Sequence, residues 1–297
     1  MAQNQPTDTR PVVDAALARQ LVDSQFPQWA SLPLTPVVPG GSDHAIYRLG
    51  PDLTVRLPRH AGAMRQARKE ATWLPRLAPA LPLDVPVPEA VGAPDFGYPW
   101  YWAVHRWTPG ETATVEGLGD SIECAETLAG FLTALQSLPT AEALTDPDCH
   151  PADDLVTRDA ATRENIARTT HTFDAPALTE LWDAALSTTP WPHAPRWFHG
   201  DFHTGNLLTR RGALSAVLDF GSLAIADPSR DLMIAFTLLN AEPRKAFRSA
   251  LAVDEATWTR GRAWALTTGL NAYVAYAAEK PWVKAATTRQ IIEALAG

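Results

Sequence analysis

Two short runs of alternating side chains stand near the start of the chain. Residues 46–49 and 53–57 are rich in β-branched, aromatic and aliphatic residues, and residues 50–52 (Gly-Pro-Asp) have the composition of a turn. A third run, at 100–104, is almost wholly apolar and contains two tryptophans. This pattern predicts strands joined by tight turns, and hence a small antiparallel sheet.

In the same part of the chain, two segments repeat their apolar residues every three or four positions, as one face of a helix does. One begins after Asp14, a typical N-cap residue, and follows a polar stretch over residues 1–10 that is expected to be a loose tail. The other covers residues 61–77, where Pro75 is expected to kink or end the helix because it lacks a backbone donor.

From about residue 108, helical patterns dominate. Asp120 and Glu123 resemble a capping box at the start of a helix. Strand signals in this half flank only His199 and Asp219. Further helices are predicted at 154–168, 176–187, 230–239, 244–252, 255–279 and 282–295.

These patterns together predict an α+β protein of two lobes. The first is a small, antiparallel β-rich lobe over residues 1–107, and the second is a larger, mainly helical lobe over 108–297. A linker is expected near residues 105–110. A chain of 297 residues is long enough to bury a sizeable core in this arrangement.

Composition narrows the possible partners. The net charge of −8 argues against nucleic acid, because phosphate backbones need clustered lysine and arginine. No apolar run reaches the roughly 18 residues of a membrane span, and the N-terminus lacks the order of a signal peptide. The two cysteines, Cys124 and Cys149, suggest reduced thiols. We therefore expect a cytoplasmic protein, monomeric or homodimeric, that binds neither nucleic acid nor membrane.

Residues 197–221 contain the strongest chemical signal. His199-Gly200-Asp201 turns the chain, Asn206 follows five residues after Asp201, and Asp219-Phe220-Gly221 closes the segment after two apolar runs. The pattern predicts a hairpin-like element that brings two carboxylates and an amide to one end. Phosphoryl transfer needs such a set, because one carboxylate must orient a hydroxyl while oxygen ligands hold Mg²⁺ on the phosphates.

This segment resembles the catalytic and metal-binding loops of kinases, in which Asp-x-x-x-x-Asn is followed by Asp-Phe-Gly. With His-Gly before the first aspartate, and Asp-Pro-x-x-Asp-Leu at 227–232, it is most similar to the aminoglycoside phosphotransferase family, which also includes macrolide, choline and homoserine kinases. The resemblance implies a protein-kinase-like fold, a small-molecule hydroxyl substrate, Mg²⁺ as cofactor, and ATP or GTP as phosphate donor.

The resemblance also implies roles for individual residues. Asp201 would be the catalytic residue, and Asn206 and Asp219 the metal ligands. His199 and Asp231 would support the catalytic loop. The nucleotide-binding residues would be spread over the β-rich lobe: Gly41 and Ser42 in a phosphate turn, Arg56 on a strand with Glu70 as its partner, and Arg106 and Trp107 in a hinge.

The residues that contact the acceptor are less clearly marked. His203 follows the catalytic aspartate, and Asp153, Asp154 and Glu164 lie where relatives bind substrate and are expected to attract a cationic ligand. The family resemblance and the acidic chain together make an aminoglycoside the first expectation, with a macrolide or an unassigned metabolite close behind. A solvated helix start explains the same three acidic residues, and a surface ion pair explains Arg56 and Glu70.

Other functions fit parts of the pattern. Arg56 stands where the family usually has lysine, which would suit a non-catalytic, pseudokinase-like nucleotide-binding module. His199, Asp201 and His203 are also residue types that bind zinc in hydrolases. A protein kinase is disfavoured, because no Ala-Pro-Glu segment and no room for an activation loop follow Asp219.

Overall fold

The computed structural model describes residues 13–38 and 43–297, which belong to two compact units. The first unit consists of the residues up to Pro79 together with Val85–Thr108, and the second of Ala80–Asp84 together with Pro109–Gly297. The short segment Ala80–Asp84 therefore belongs to the second unit, although the residues before and after it belong to the first. Asp84 joins this segment to the second unit. Its N–H donates to the Ser215 carbonyl at 3.0 Å, and its carbonyl accepts from the Val217 N–H at 2.9 Å.

The first unit is an antiparallel sheet of five strands with two helices. In chain order its elements are α1 (Ala15–Gln25), β1 (Leu34–Pro36), β2 (His44–Leu49), β3 (Leu53–Pro58), α2 (Ala61–Leu77), β4 (Pro88–Gly92) and β5 (Trp102–Arg106). The strand order is β1-β2-β3-β5-β4. Its core forms where the inward residues of β2, β3 and β5 meet α1, with Leu49, Val55, Leu57, Trp102 and Val104 almost wholly buried.

The second unit is mainly helical and carries short strands around the loops that contain Asp201 and Asp219. Its elements are β6 (Glu111–Thr112), α3 (Val115–Leu118), α4 (Ile122–Ser137), α5 (Asp159–Arg168), α6 (Ala175–Leu186), β7 (Arg196–Phe198), β8 (Leu207–Arg210), β9 (Ala213–Val217), β10 (Ala224–Ala226), α7 (Ile234–Thr237), α8 (Ala241–Leu251), α9 (Glu255–Tyr276) and α10 (Pro281–Ala296). A 3₁₀ helix at Pro228–Met233 precedes α7.

Two small antiparallel sheets position the loops. β7 pairs with β10, and β8 pairs with both β6 and β9. The β8–β9 hairpin turns through Arg211 and Gly212, both with positive φ, as a two-residue hairpin turn requires. The loop after β7 and the loop after β9 are thereby fixed at one end of these strands.

Several predicted elements differ from the observed ones. The N-cap of α4 is Ser121, whose hydroxyl accepts from the Cys124 N–H at 3.0 Å, so the capping box at Asp120 was wrong. α2 does not end at Pro75 but continues to Leu77. The helix predicted from residue 154 begins only at Asp159, because Asp154 forms a turn with Thr157 instead.

Two further differences concern short elements. The predicted helix 230–239 is a 3₁₀ helix followed by a single α-turn, and the strands β1, β4 and β6 were not predicted. None of the described helices is both long enough and apolar enough to cross a membrane.

Candidate active site

Gly200 shapes the loop that follows β7. Its φ is +85°, a value that L-residues with side chains rarely adopt. A Cβ at this position would lie 2.4 Å from the carbonyl oxygen of Ser222. Glycine is therefore required twice over, once by the backbone angle and once by the close approach of the following loop.

Asp231 fixes the same loop from the other side. Its two carboxylate oxygens accept from the His199 N–H at 2.6 Å and from the Gly200 N–H at 2.8 Å. The side chain is completely buried, and burial raises the pKa of its carboxyl to about 7 against the lowering effect of those two hydrogen bonds. The 3₁₀ helix at Pro228–Met233 thus anchors the backbone just before Asp201.

His199 links the two loops through its ring. Its Nε2–H donates to the carbonyl of Leu218 at 2.9 Å, and its Nδ1 accepts from the Asp201 N–H at 3.2 Å. Burial lowers the pKa of the ring despite the charge of Asp201, so a neutral imidazole is favoured. The ring packs against Phe220 with 4.5 Å between centroids. The geometry gives His199 a positioning role.

Asp201 lies in a polar cluster with Asn206 and His203. The amide nitrogen of Asn206 donates to the Asp201 carbonyl at 2.9 Å and to its carboxylate at 3.1 Å. His203 Nε2 is 3.5 Å from the same carboxylate. Burial alone would raise the pKa of Asp201, but its contacts with His203, His199 and Asn206 prevail and lower it to about 2. The Asp201 carboxylate is therefore ionised at neutral pH, and in this state it accepts hydrogen bonds.

Asn206 and Asp219 are brought together by the β8–β9 hairpin. The Leu218 N–H donates to the Asn206 carbonyl at 2.8 Å, so Asp219 follows directly after a residue bonded to Asn206. Asp219 has a left-handed backbone, with φ of +61°, and its carboxylate accepts from the Gly221 N–H at 3.4 Å. A non-glycine residue in this region is uncommon and typical of functional loops.

The atoms offered here suit a hard cation. The nitrogen of the Asn206 amide faces Asp201, which leaves its oxygen for another partner, and Asp219 adds carboxylate oxygens. Oxygen donors of this kind fit Mg²⁺. Within the described residues, no group of three or more histidine, cysteine, aspartate or glutamate side chains is arranged to hold a metal. The hydrolase-like zinc set of His199, Asp201 and His203 is thus not supported.

Arg56 and Glu70 form a pair inside the first unit. The Arg56 guanidinium lies 3.6 Å from the Glu70 carboxylate, and their side chains are only 16% and 3% exposed. A surface ion pair is therefore wrong as an explanation. The Nε of Arg56 is also buried without a hydrogen-bond partner among the described residues.

The other predicted nucleotide contacts lie at the end of β5 or outside the described residues. The Trp107 N–H already donates to the Asp52 carbonyl at 2.7 Å, and the guanidinium of Arg48 lies 4.0 Å from the centre of its ring. Arg106 is exposed and pairs with Glu89. Gly41 and Ser42 fall outside the residues that the structure describes.

The acidic residues predicted to meet the acceptor are dispersed. Asp153 and Asp154 line a cavity of about 280 Å³ in the second unit, whereas Glu164 is exposed on α5 and does not line it. Asp153 bonds to Arg158 at 2.5 Å and to Arg230 at 2.8 Å. Sequence patterns missed both arginines as partners, and Arg230 lies 77 positions away from Asp153 along the chain.

The fold of this chain is similar to that of solved aminoglycoside and macrolide phosphotransferases. The chain matches an APH(2") enzyme solved with GDP and kanamycin at 18% identity and a TM-score of 0.73, over 93% of this chain and 97% of that one. It matches macrolide 2'-phosphotransferase MphH from Brachybacterium faecium at 21% identity and 0.61, over 92% and 98%. For an APH(2")-IIa complex with streptomycin and ATP, the values are 16%, 0.60, 94% and 96%. The two-lobed, kinase-like fold is thereby confirmed.

Sequence comparison then identifies the family. The model of the phosphotransferase enzyme family, APH, matches residues 35–264, and the chain belongs to this family. The predicted class of enzyme, a phosphotransferase, is confirmed at this level. No curated protein matches the chain.

Proposed function

We propose that this enzyme transfers the γ-phosphate of ATP or GTP to a hydroxyl group of a small molecule, with Asp201 as its catalytic residue. The observation that carries the proposal is the cluster around Asp201. Its carboxylate is held beside Asn206, its backbone is fixed by His199 and Asp231, and its pKa of about 2 keeps it ionised.

The role of Asp201 follows from this state. An ionised carboxylate accepts a hydrogen bond from the acceptor hydroxyl and so directs one oxygen lone pair toward phosphorus. As the new oxygen–phosphorus bond forms and the bond to the leaving nucleoside diphosphate breaks, the hydroxyl proton passes to Asp201. A low pKa makes the carboxylate a weak base, so positioning contributes more than early proton removal.

His203 tunes this carboxylate. It lies 3.5 Å from the Asp201 carboxylate, and contact with Asp201 raises the pKa of the ring although burial opposes it. Its Nδ1 accepts from the Gly205 N–H at 3.0 Å, so the ring is fixed from the other side. We assign it a positioning role next to the acceptor.

Asn206 and Asp219 are proposed to hold Mg²⁺, which when bound neutralises charge on the phosphates. The Asn206 amide would bind the metal through its oxygen, because its nitrogen donates to Asp201. The left-handed backbone of Asp219 sets the direction of its carboxylate.

In the first unit, Arg56 is proposed to contact nucleotide phosphate. The buried Glu70 holds its guanidinium at one end. Arginine is always charged and offers several donors in a fixed plane, so it can bind an anion while it remains paired. Gly41, Ser42, Arg106 and Trp107 remain proposed nucleotide contacts.

The acceptor is proposed to be a hydroxylated antibiotic or related metabolite. Support comes from structural neighbours that were solved with kanamycin and with streptomycin, and from neighbours named as macrolide 2'-phosphotransferases. The nucleotides in neighbouring structures are GDP, ADP and ATP, which supports a nucleotide as co-substrate.

The test is a screen for acceptor-dependent release of ADP or GDP, with product mass measured in parallel. The panel contains aminoglycosides, macrolides, choline, homoserine and sugars, each with Mg-ATP and with Mg-GTP. We expect one class of acceptor to gain the mass of a phosphoryl group. Tight nucleotide binding without transfer to any acceptor would contradict the proposal and favour a pseudokinase-like module.

A further inference from the structure

A cavity of about 280 Å³ lies in the second unit and is lined largely by apolar side chains. Those that form its apolar wall are Leu155, Val156, Leu186, Trp191, Phe198 and Trp264. Pockets for small organic molecules are typically apolar with a few polar groups that set orientation. The apolar wall alone therefore points to a ligand with an apolar body.

The cavity is adjacent to the catalytic loop. Phe198, the last residue of β7, precedes Asp201 by three positions, so their Cα atoms lie at most about 11 Å apart. Arg230 lines the same cavity and is next to Asp231, which bonds to the backbone just before Asp201. Two of the residues that line the cavity are thus close along the chain to the residues that fix the catalytic loop.

Every carboxylate that lines the cavity already has a partner. Asp153 pairs with Arg158 and Arg230, as described above, and Asp227 pairs with Arg260 at 2.6 Å. Asp154 accepts from the Thr157 N–H at 2.7 Å and so closes a local turn.

The partners of Asp153 are themselves held in place. The guanidinium carbons of Arg158 and Arg230 lie 5.3 and 4.6 Å from the centre of the Trp264 ring. Arg230 is also only 15% exposed. An ammonium group that took Asp153 would leave a buried guanidinium without its carboxylate, which is strongly unfavourable.

We infer that this cavity binds the apolar body of the acceptor, and that the acceptor is a hydroxylated, largely apolar compound and not a polycationic aminoglycoside. The inference rests on the proposed phosphotransferase function. It differs from the expectation drawn from net charge, because two of the three acidic residues that line the cavity, Asp153 and Asp227, pair with arginines, and the third, Asp154, is held in a local turn.

The experiment measures ligand binding by calorimetry without nucleotide, and phosphoryl transfer separately by product mass. The apolar, uncharged probes are hydrocortisone and prednisolone, and the polycationic probes are kanamycin and streptomycin. The variant is Val156→Asp, since Val156 lines the cavity yet is 73% exposed and tolerates a charge. The control is Ile292→Asp, which places the same charge on α10, away from the cavity, at a residue that is 53% exposed.

We expect at least one apolar probe to bind about tenfold more tightly than either polycation, and Val156→Asp to weaken that binding about tenfold because a carboxylate replaces an apolar contact. Ile292→Asp should leave it unchanged. Tighter binding of a polycation, an unaltered affinity in Val156→Asp, or no binding of either apolar probe at millimolar concentration would overturn the inference.

The two proposals fail differently. Transfer to kanamycin that Val156→Asp leaves intact would retain the phosphotransferase and overturn the cavity inference. Binding of an apolar probe that Val156→Asp weakens, without transfer to any acceptor, would instead count against the phosphotransferase and leave the cavity's ligand preference standing.

Discussion

At the scale of single residues, the backbone N–H groups of His199 and Gly200 meet one buried carboxylate, that of Asp231. Each oxygen accepts one hydrogen bond, so both are committed. An asparagine in its place has only one acceptor and would leave a buried N–H without a partner, which costs about 1–3 kcal/mol. The neighbourhood of Asp201 thus depends on a residue 30 positions away.

The pKa of Asp231 gives a prediction about pH. Burial raises it to about 7 in the folded protein, above the usual value for a carboxyl. The folded protein therefore holds this proton more tightly than the unfolded chain, and the associated stability is lost as pH rises from about 4 through about 7. We expect the free energy of unfolding of the wild type, relative to Asp231→Asn, to fall over this range in urea denaturation. A constant or rising difference would contradict the assignment.

Gly200 gives a second prediction, with Gly212 as a matched control. Both glycines have positive φ, +85° and +80°, but a Cβ meets Ser222 at 2.4 Å in the first case and nothing within 4 Å in the second. We expect Gly212→Ala to cost about 1–2 kcal/mol from backbone strain alone. Gly200→Ala should cost more and should also lower kcat. Equal losses for the two variants in urea unfolding would show that the contact with Ser222 is unimportant.

At the scale of elements, the β8–β9 hairpin brings Asn206 close to Asp219. Its position could be predicted from the sequence, because two apolar runs flank a turn that ends in glycine. The strands β4 and β6 could not, because β4 lies in a proline-rich stretch and β6 has only two residues and exists through its pairing with β8. Short strands are set by long-range pairing and leave little local signal.

The start of α4 shows how close two local signals can be. Asp120 and Ser121 are both good caps, and Glu123 made the box at Asp120 the apparent choice. In the structure Ser121 accepts from the Cys124 N–H, whereas Asp120 accepts from the side chain of Asn240 at 2.7 Å. A contact 120 residues away along the chain decides between them.

The corrected cap can be tested directly. We expect Ser121→Ala to lower the free energy of unfolding by about 1 kcal/mol, because an N-terminal donor of α4 loses its partner. Asp120→Ala should lower it by less, since it removes one exposed hydrogen bond. Thermal unfolding of both variants makes the comparison. A larger loss of stability for Asp120→Ala than for Ser121→Ala would indicate that Asp120, and not Ser121, caps α4.

At the scale of the whole molecule, net charge and the local pairing of carboxylates point to different acceptors. The value of −8 favours a cationic acceptor, yet two of the three acidic residues that line the cavity are paired with arginines. Charge counts are sums over the surface, whereas recognition depends on which carboxylates lack a partner. The pairs that settle this, Asp153 with Arg230 and Asp227 with Arg260, join distant segments and could not be predicted from the sequence.

The kinase-like fold and the family could be predicted, because residues 199–232 carry several motifs at fixed spacing.

The central claim is that Asp201 serves the acceptor hydroxyl, and the most direct test compares Asp201→Asn with Asp174→Asn. Asp174 is an exposed cap of α6, and asparagine caps equally well.

The measurement is kcat for the acceptor found in the screen, together with the Kd of Mg-ATP or Mg-GTP. We predict that Asp201→Asn lowers kcat by about 10²–10⁴-fold with little change in nucleotide affinity, while Asp174→Asn matches the wild type. A kcat for Asp201→Asn within a few-fold of the wild type would contradict the account.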